Sequence, residues 1–216
     1  MFPEKRNPLK LKHNKAFKWD SCRVAFWVCS EFCGESGLRK VGLGGTHPLT
    51  QRYILLEFIM LNRIEEWIDL TNERFSSQRK SCALFARQFA GFYSEEFLAD
   101  SYFVIVDSIP KPDFPELREA GLGDFLDMEI QGITYKNTYY ILPTVAQDLR
   151  LHFHELVHVA QWKTLGAPGF LQRYIAEVQS VGYNDAPLEK LAYAFDHHFS
   201  QGGQKVDVPS YVENKI

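Results

Sequence analysis

An α+β domain with a small mixed or antiparallel sheet is what the sequence predicts, on three observations. Residues 102–107 (YFVIVD) are a short apolar run of the kind found in buried strands. Residues 133–142 are dense in β-branched and aromatic side chains, the composition of a strand or hairpin. From Thr144 onward the chain carries three helical patterns in succession.

The elements follow in order. Residues 1–20 hold Lys5, Arg6, Lys10, Lys12, Lys15 and Lys18 against Glu4 and Asp20, and read as a solvated basic arm. Cys29 and Cys33 follow Cys22 with loose metal-ligand spacing, but no second pair comes after them and His47 is the only other donor nearby. Gly42-Leu43-Gly44-Gly45 is too short, and in the wrong context, for a phosphate loop. Residues 1–50 are therefore expected to be an N-terminal extension. A domain over 51–202, with its core in 100–200, and a C-terminal tail over 203–216 complete the expected layout. Within the domain, residues 51–70 are strongly helical. Ile54, Leu55, Phe58, Ile59, Leu61, Ile64 and Trp67 are interrupted by Arg52, Glu57, Arg63, Glu65 and Glu66. That pattern is amphipathic, a core or partner helix and not a membrane span, which needs about 20 mostly apolar residues.

Ser81 can cap a helix reaching Phe92, with Leu84, Phe85, Phe89 and Phe92 inward. After the 102–107 strand, Pro110, Pro112 and Pro115 impose an extended connector. Residues 116–128, with Gly121 and Gly123, read as a loop that hangs over a cleft. Residues 133–142 are either one long strand or two joined at Lys136-Asn137, since Asn tolerates φ > 0. Thr144 and Gln147 then make a capping box, and no Pro or Gly appears until Gly166. The resulting helix of about 20 residues is apolar, with Val145, Leu149, Phe153, Leu156, Val157, Val159 and Ala160 along it. Ala167-Pro168-Gly169 is a turn. A second helix carries Phe170, Leu171, Tyr174, Ile175, Val178 and Val181 and stops at Gly182. A third, opened by Asp185 and Pro187, runs to Phe199.

The first of these helices contains His154, Glu155 and His158, an H-E-x-x-H pentapeptide. Chance alone would place it about 0.016 times in a chain of this length and composition. Two imidazoles four residues apart share one helix face, within reach of a single Zn²⁺. The Glu between them is not a ligand. It can accept a proton from a water whose pKa the metal lowers to roughly 7. A catalytic zinc needs a third protein ligand. Glu177, 19 residues past His158, and Glu189, 31 residues past it, are both placed on helices able to fold back. Position alone leaves the two open.

Residues 133–199 resemble the gluzincin branch of the zincin metallopeptidases, in which H-E-x-x-H is followed by a Glu on a later helix. The segment Pro187-Leu188-Glu189-Lys190-Leu191-Ala192-Tyr193 is similar to the P-x-E-x-x-A-Y stretch of small, largely uncharacterised bacterial predicted zinc proteases, which also tend to show a Gln where Gln161 stands. The resemblance implies a minimal zincin-like fold with one Zn²⁺ held by His154, His158 and Glu189, and with Glu155 as general base. It implies peptide-bond hydrolysis, a peptide or protein substrate, and an edge strand beside the site. Tyr193 stands where many gluzincins carry an Asp. Four residues past Glu189 and on its face, it can bond a ligand, stabilise an oxyanion or serve only to pack; Tyr183, His197 and His198 are the other candidates for the oxyanion. His152 lies on another face and reads as a packed or surface histidine.

Two other readings stay open. A non-catalytic zinc module would close the site with a fourth ligand such as Asp196, His197 or His198. An inactive protease fold would instead bind a partner through the 51–70 helix and the aromatic strand. Composition narrows the field. With 45% hydrophobic residues the chain can bury one sizeable core. A net charge of −3 argues against nucleic-acid binding. No secretory signal is visible, and four uneven Cys make no disulfide framework, so a cytoplasmic location is expected.

Overall fold

A four-stranded sheet carries the H-E-x-x-H helix. The computed structural model describes residues 48–216, with side chains from residue 58 onward. The basic arm, Cys22, Cys29, Cys33, the 42–45 glycines and His47 lie outside the described residues. Strands β1 (Lys80–Ser81), β2 (Tyr102–Ile105), β3 (Gly132–Tyr135) and β4 (Thr138–Ile141) lie in the order β1-β2-β4-β3. β2 pairs parallel with β4, and the two outer pairings are antiparallel, so the sheet is mixed. All four residues of the inner strand β4 are buried, because both of its faces are covered. Phe103, Tyr139 and Ile141 point into one apolar cluster; Val104 and Tyr140, one step along each strand, point into another.

Helices cover these faces. α1 (Pro48–Arg74) buries Ile64 and Ile68 in the second cluster, and its Trp67 meets Tyr135 edge-on. Phe58 and Ile59 on the same helix are exposed. Ser81 does act as a cap, but of a single 3₁₀ turn (Cys82–Phe85), after which the chain proceeds by turns to Phe92. Phe85, Phe89 and Phe92 are buried as expected, whereas Leu84 is exposed. Aromatic spacing suggests a continuous helix, but the helical turn stops at Phe85, and Gly91, at φ 87°, is left-handed further on. α2 (Glu95–Ala99) leads into β2, with Ser94 accepting from the Phe97 amide.

The stretch expected as a loop over a cleft is helical instead. α3 (Pro115–Leu117) runs into a π-turn (Arg118–Leu122) and then α4 (Gly123–Asp127), with the kink at Gly121, φ 85°. Pro115 supplies the fixed φ of a first helical position, and Arg118 ties Asp113 to Asp127 across the kink. Residues 133–142 form a hairpin. Its left-handed residue is Lys136 (φ 61°), not Asn137, and Glu65 and Asp69 of α1 hold the Lys136 ammonium.

α5 (Leu149–Val181) is the longest element. It begins later than the capping box suggests. Pro143–Val145 is a 3₁₀ turn, and Asp148 is the N-cap, accepting from the Arg150 and Leu151 amides. The helix breaks at Gly166 (φ 67°, ψ 169°) and resumes through Pro168, so the two halves correspond to the two helices read from the sequence. α6 (Pro187–Ser200) follows, and α7 (Val208–Lys215) ends the chain. Val208 and Val212 of α7 are fully buried against α5, so the segment set apart as a tail contributes to the core. No helix among the described residues is long and apolar enough to cross a membrane.

Candidate metal centre

The first half of α5 is buried on nearly every side, from His152 to Trp162. A polar residue there must find its partners inside the protein. His154 and His158 sit one turn apart with their Nε2 atoms 3.1 Å from each other. Glu189, in the first turn of α6, brings Oε2 to 3.4 Å from both. All three residues are at most 6% exposed, and together they could hold a metal ion.

The far side of each imidazole decides what the near side offers. His154 Nδ1 lies 2.9 Å from Asp196 Oδ2, and Asp196 Oδ1 is held by Arg150. His158 Nδ1 lies 2.8 Å from Gln161 Oε1, and the Gln161 amide nitrogen donates to the Leu188 carbonyl. Each Nδ1 therefore carries the proton, and each Nε2 is left with its lone pair for the centre. Tyr174 donates to Glu189 Oε1 at 2.7 Å, while Glu189 Oε2 is buried with no donor at all.

Two imidazole lone pairs and an unpartnered carboxylate oxygen thus converge on one point. Such a set is stable only with positive charge among it. Ligands at about 2.0–2.1 Å from one tetrahedral Zn²⁺ stand roughly 3.3–3.4 Å apart. The observed 3.1–3.4 Å separations fit that spacing. With only protons available the same demand appears in the titration. Burial pulls His154 down, yet the Asp196 and Glu189 carboxylates outweigh it and carry the imidazole up to about 10. Burial likewise disfavours the Glu189 anion, but the two imidazoles overcome it and hold the carboxyl far below the usual range.

Glu155 faces the same site from one residue along. It is 3% exposed, and burial raises its pKa against the pull of His154 and His158. Thr134 of β3 donates to Glu155 Oε2 at 2.6 Å. A Cβ on Gly132 would lie 2.4 Å from Glu155 Oε1, so any larger residue there would displace this carboxylate from its position. β3 ends the sheet, and beside it runs α5; Trp162 donates its indole N–H to the Thr134 carbonyl.

Glu177 and Glu189 are equally eligible by position in the sequence. Glu177 belongs elsewhere: Oε2 accepts the Leu188 amide at the start of α6, and Oε1 pairs with Arg173. It supplies the cap that Asp185 had been expected to provide. Tyr193 packs its ring 4.7 Å from His154 and is 39% exposed. Tyr183 stands beside it, and burial raises both phenols. Of the fourth ligands considered for a closed site, Asp196 is turned to His154 Nδ1, His197 is exposed, and His198 bonds the Gln204 carbonyl.

Gly132, Thr134 and Tyr174 were not found from the sequence, because nothing in their spacing links them to the motif. Asp196 had a signal: seven residues past Glu189, it returns to the same face of α6. Comparison with protein-family models, with curated proteins and with solved structures yields no match to this chain.

Proposed function

We propose that this protein is a zinc-dependent hydrolase of peptide bonds. The reading is carried by one observation: two buried imidazole nitrogens converge with a buried carboxylate oxygen that no donor reaches, next to a further buried carboxylate, Glu155, that is not among them. A site built only to hold a metal has no use for that extra acid. The donor set of two imidazoles and one carboxylate suits Zn²⁺ with an open position.

A zinc ion bound there supplies a Lewis acid that polarises a carbonyl and acidifies water. Glu155 takes the proton of the attacking water and delivers it to the departing amine. Burial keeps its carboxyl poised higher than an ordinary glutamate, which favours a group that must both accept and release a proton. Thr134 and Gly132 fix where that carboxylate stands. Asp196 and Gln161 keep the imidazole protons on Nδ1. Tyr193 and Tyr183 line the polar cleft that opens beside His154, which supports a role for one of them as donor to the oxyanion. At its half-exposed Gly132–Ile133 end, β3 is the last strand of the sheet and offers an extended peptide backbone to pair with; its buried Thr134 carbonyl is taken by Trp162.

Glu155→Gln tests the assignment. The variant is expected to retain about one zinc per chain by metal analysis while losing hydrolysis of a mixed peptide pool. Hydrolysis that persists in Glu155→Gln would remove Glu155 from the role of base.

A further inference from the structure

Glu189 carries two oxygens, and the fold treats them differently. Oε1 accepts the Tyr174 hydroxyl at 2.7 Å. Oε2 stands 3.4 Å from Nε2 of both imidazoles and meets no donor among the described residues. A bond from O–H to an ionised carboxylate is one of the stronger hydrogen bonds, so Oε1 is committed to the phenol. Tyr174 reaches it from the second half of α5, beyond the Gly166 break. Little freedom is left to the hydroxyl. The Tyr174 ring stacks on Phe170 at 5.5 Å, Phe170 stacks on Trp162 at 4.0 Å, and Phe125 of α4 meets Tyr174 edge-on at 5.9 Å. Trp162 is pinned in turn by its indole N–H to the Thr134 carbonyl of β3. Oη lies on the axis about which a tyrosine ring flips, so a flip leaves it in place. The row of rings carries a fixed position from the sheet to the carboxylate.

We infer that Tyr174 is a positioning residue that commits Glu189 to the metal through Oε2 alone, and so keeps one position at the ion open. This rests on the metal reading of the centre and not on the reaction drawn from it. A carboxylate free to turn can offer both oxygens to one cation, as glutamate does around Ca²⁺. Two imidazoles and both oxygens would put four protein atoms around the ion, the count of a closed structural site. With Oε1 held by the phenol there are three, the count of a site that can take a further ligand. The hydroxyl of Tyr174 thus separates a centre that only holds an ion from one that can present it.

The test uses the full-length protein loaded with Co²⁺ in place of Zn²⁺, because the visible absorption of Co²⁺ reports its ligands and their geometry. Acetohydroxamate, which binds metal, probes the open position. Tyr174→Phe keeps the ring in its stack and removes only the hydroxyl. It is expected to retain cobalt, to show a changed spectrum before any probe is added, and to bind acetohydroxamate about 10- to 100-fold more weakly than the unaltered protein. Phe170→Leu keeps the hydroxyl but unstacks its ring, and should move both readouts the same way by less; it decides the matter should circular dichroism show Tyr174→Phe unfolded. An unchanged affinity for acetohydroxamate overturns the inference, since the position is then open without the phenol. Weaker binding with an unchanged spectrum also overturns it, because no second oxygen has reached the ion. Loss of cobalt from folded Tyr174→Phe does the same, for the hydroxyl then holds the whole carboxylate and does not choose between its oxygens. Each of these leaves the metal centre standing. Absence of cobalt from the unaltered protein overturns the centre and the inference together.

Discussion

Two sets of buried histidines lie within seven residues of each other on α5, and they are solved in opposite ways. His152 is closed. Its Nδ1 accepts from the Tyr139 hydroxyl at 2.7 Å, its Nε2 donates to the Ala146 carbonyl at 3.1 Å, and Cys82 donates its thiol hydrogen to the Tyr139 oxygen. Every donor meets an acceptor. Burial lowers the imidazole pKa and pushes the Cys82 thiol up to about 12, so the network stays neutral. His154 and His158 are closed only on their Nδ1 sides; on the other side they meet each other and the orphaned oxygen of Glu189. Burial of a histidine therefore says little about function here. What separates the two sets is the balance of donors and acceptors.

The largest effect should come from breaking that imbalance. Protein purified with its metal is expected to carry about one zinc per chain, and His158→Ala to carry none, as read by elemental analysis. Zinc in His158→Ala at the level of the unaltered protein would mean that the ion sits elsewhere.

Weakening one supporting contact should do less. Asp196→Asn leaves a partner for His154 Nδ1 but removes its charge, and zinc affinity is expected to fall about 10- to 100-fold in competition with a chelator. Glu177 offers the control within the same fold, since its carboxylate faces Arg173 and the Leu188 amide. Glu177→Gln should leave zinc affinity unchanged.

Acidity provides the next comparison. In the metal-free protein His154 holds a proton up to about pH 10, above the ordinary value of 6.5. Zinc must displace that proton throughout the neutral range. Affinity should therefore rise about tenfold per pH unit from roughly 6.5 toward 10, with about one proton released per ion, measurable by calorimetry in buffers of different ionisation heat. A plateau beginning near pH 6.5 would show that the Asp196 and Glu189 carboxylates do not hold the His154 proton.

The smallest effect on the metal is expected at the closed set. Tyr139→Phe strips a donor from His152 and an acceptor from Cys82, and should cost about 1–3 kcal/mol of stability in urea unfolding. Zinc content should not change. A loss of zinc in Tyr139→Phe would show that the two sets are coupled through α5.

Much of this was legible in the chain. The strands at 102–107 and 133–142, the helix pair divided at Gly166 and the helix from Pro187 follow from periodicity and punctuation, which act over a few residues. In the 115–127 segment two glycines suggest a loop, while the ties that hold it helical, Arg118 to Asp113 and Asp127 and Lys111 to the Leu126 carbonyl, join residues five to fifteen positions apart that no helical periodicity links. The α5 start was misplaced because Thr144 and Asp148 both have capping chemistry, and only the fold chooses between them.

By itself the sequence determined that two imidazoles and an acid share one buried helix, because helical spacing is a local property. It did not determine which distant carboxylate joins them. Glu177 and Glu189 carry the same group on similar helices, and what separates them is the turn at Gly182 and the seating of α6, which aim one at the imidazoles and the other at a backbone amide. Only packing across the whole domain fixes those directions, just as only the close approach of β3 to α5 makes Gly132 the seat of Glu155.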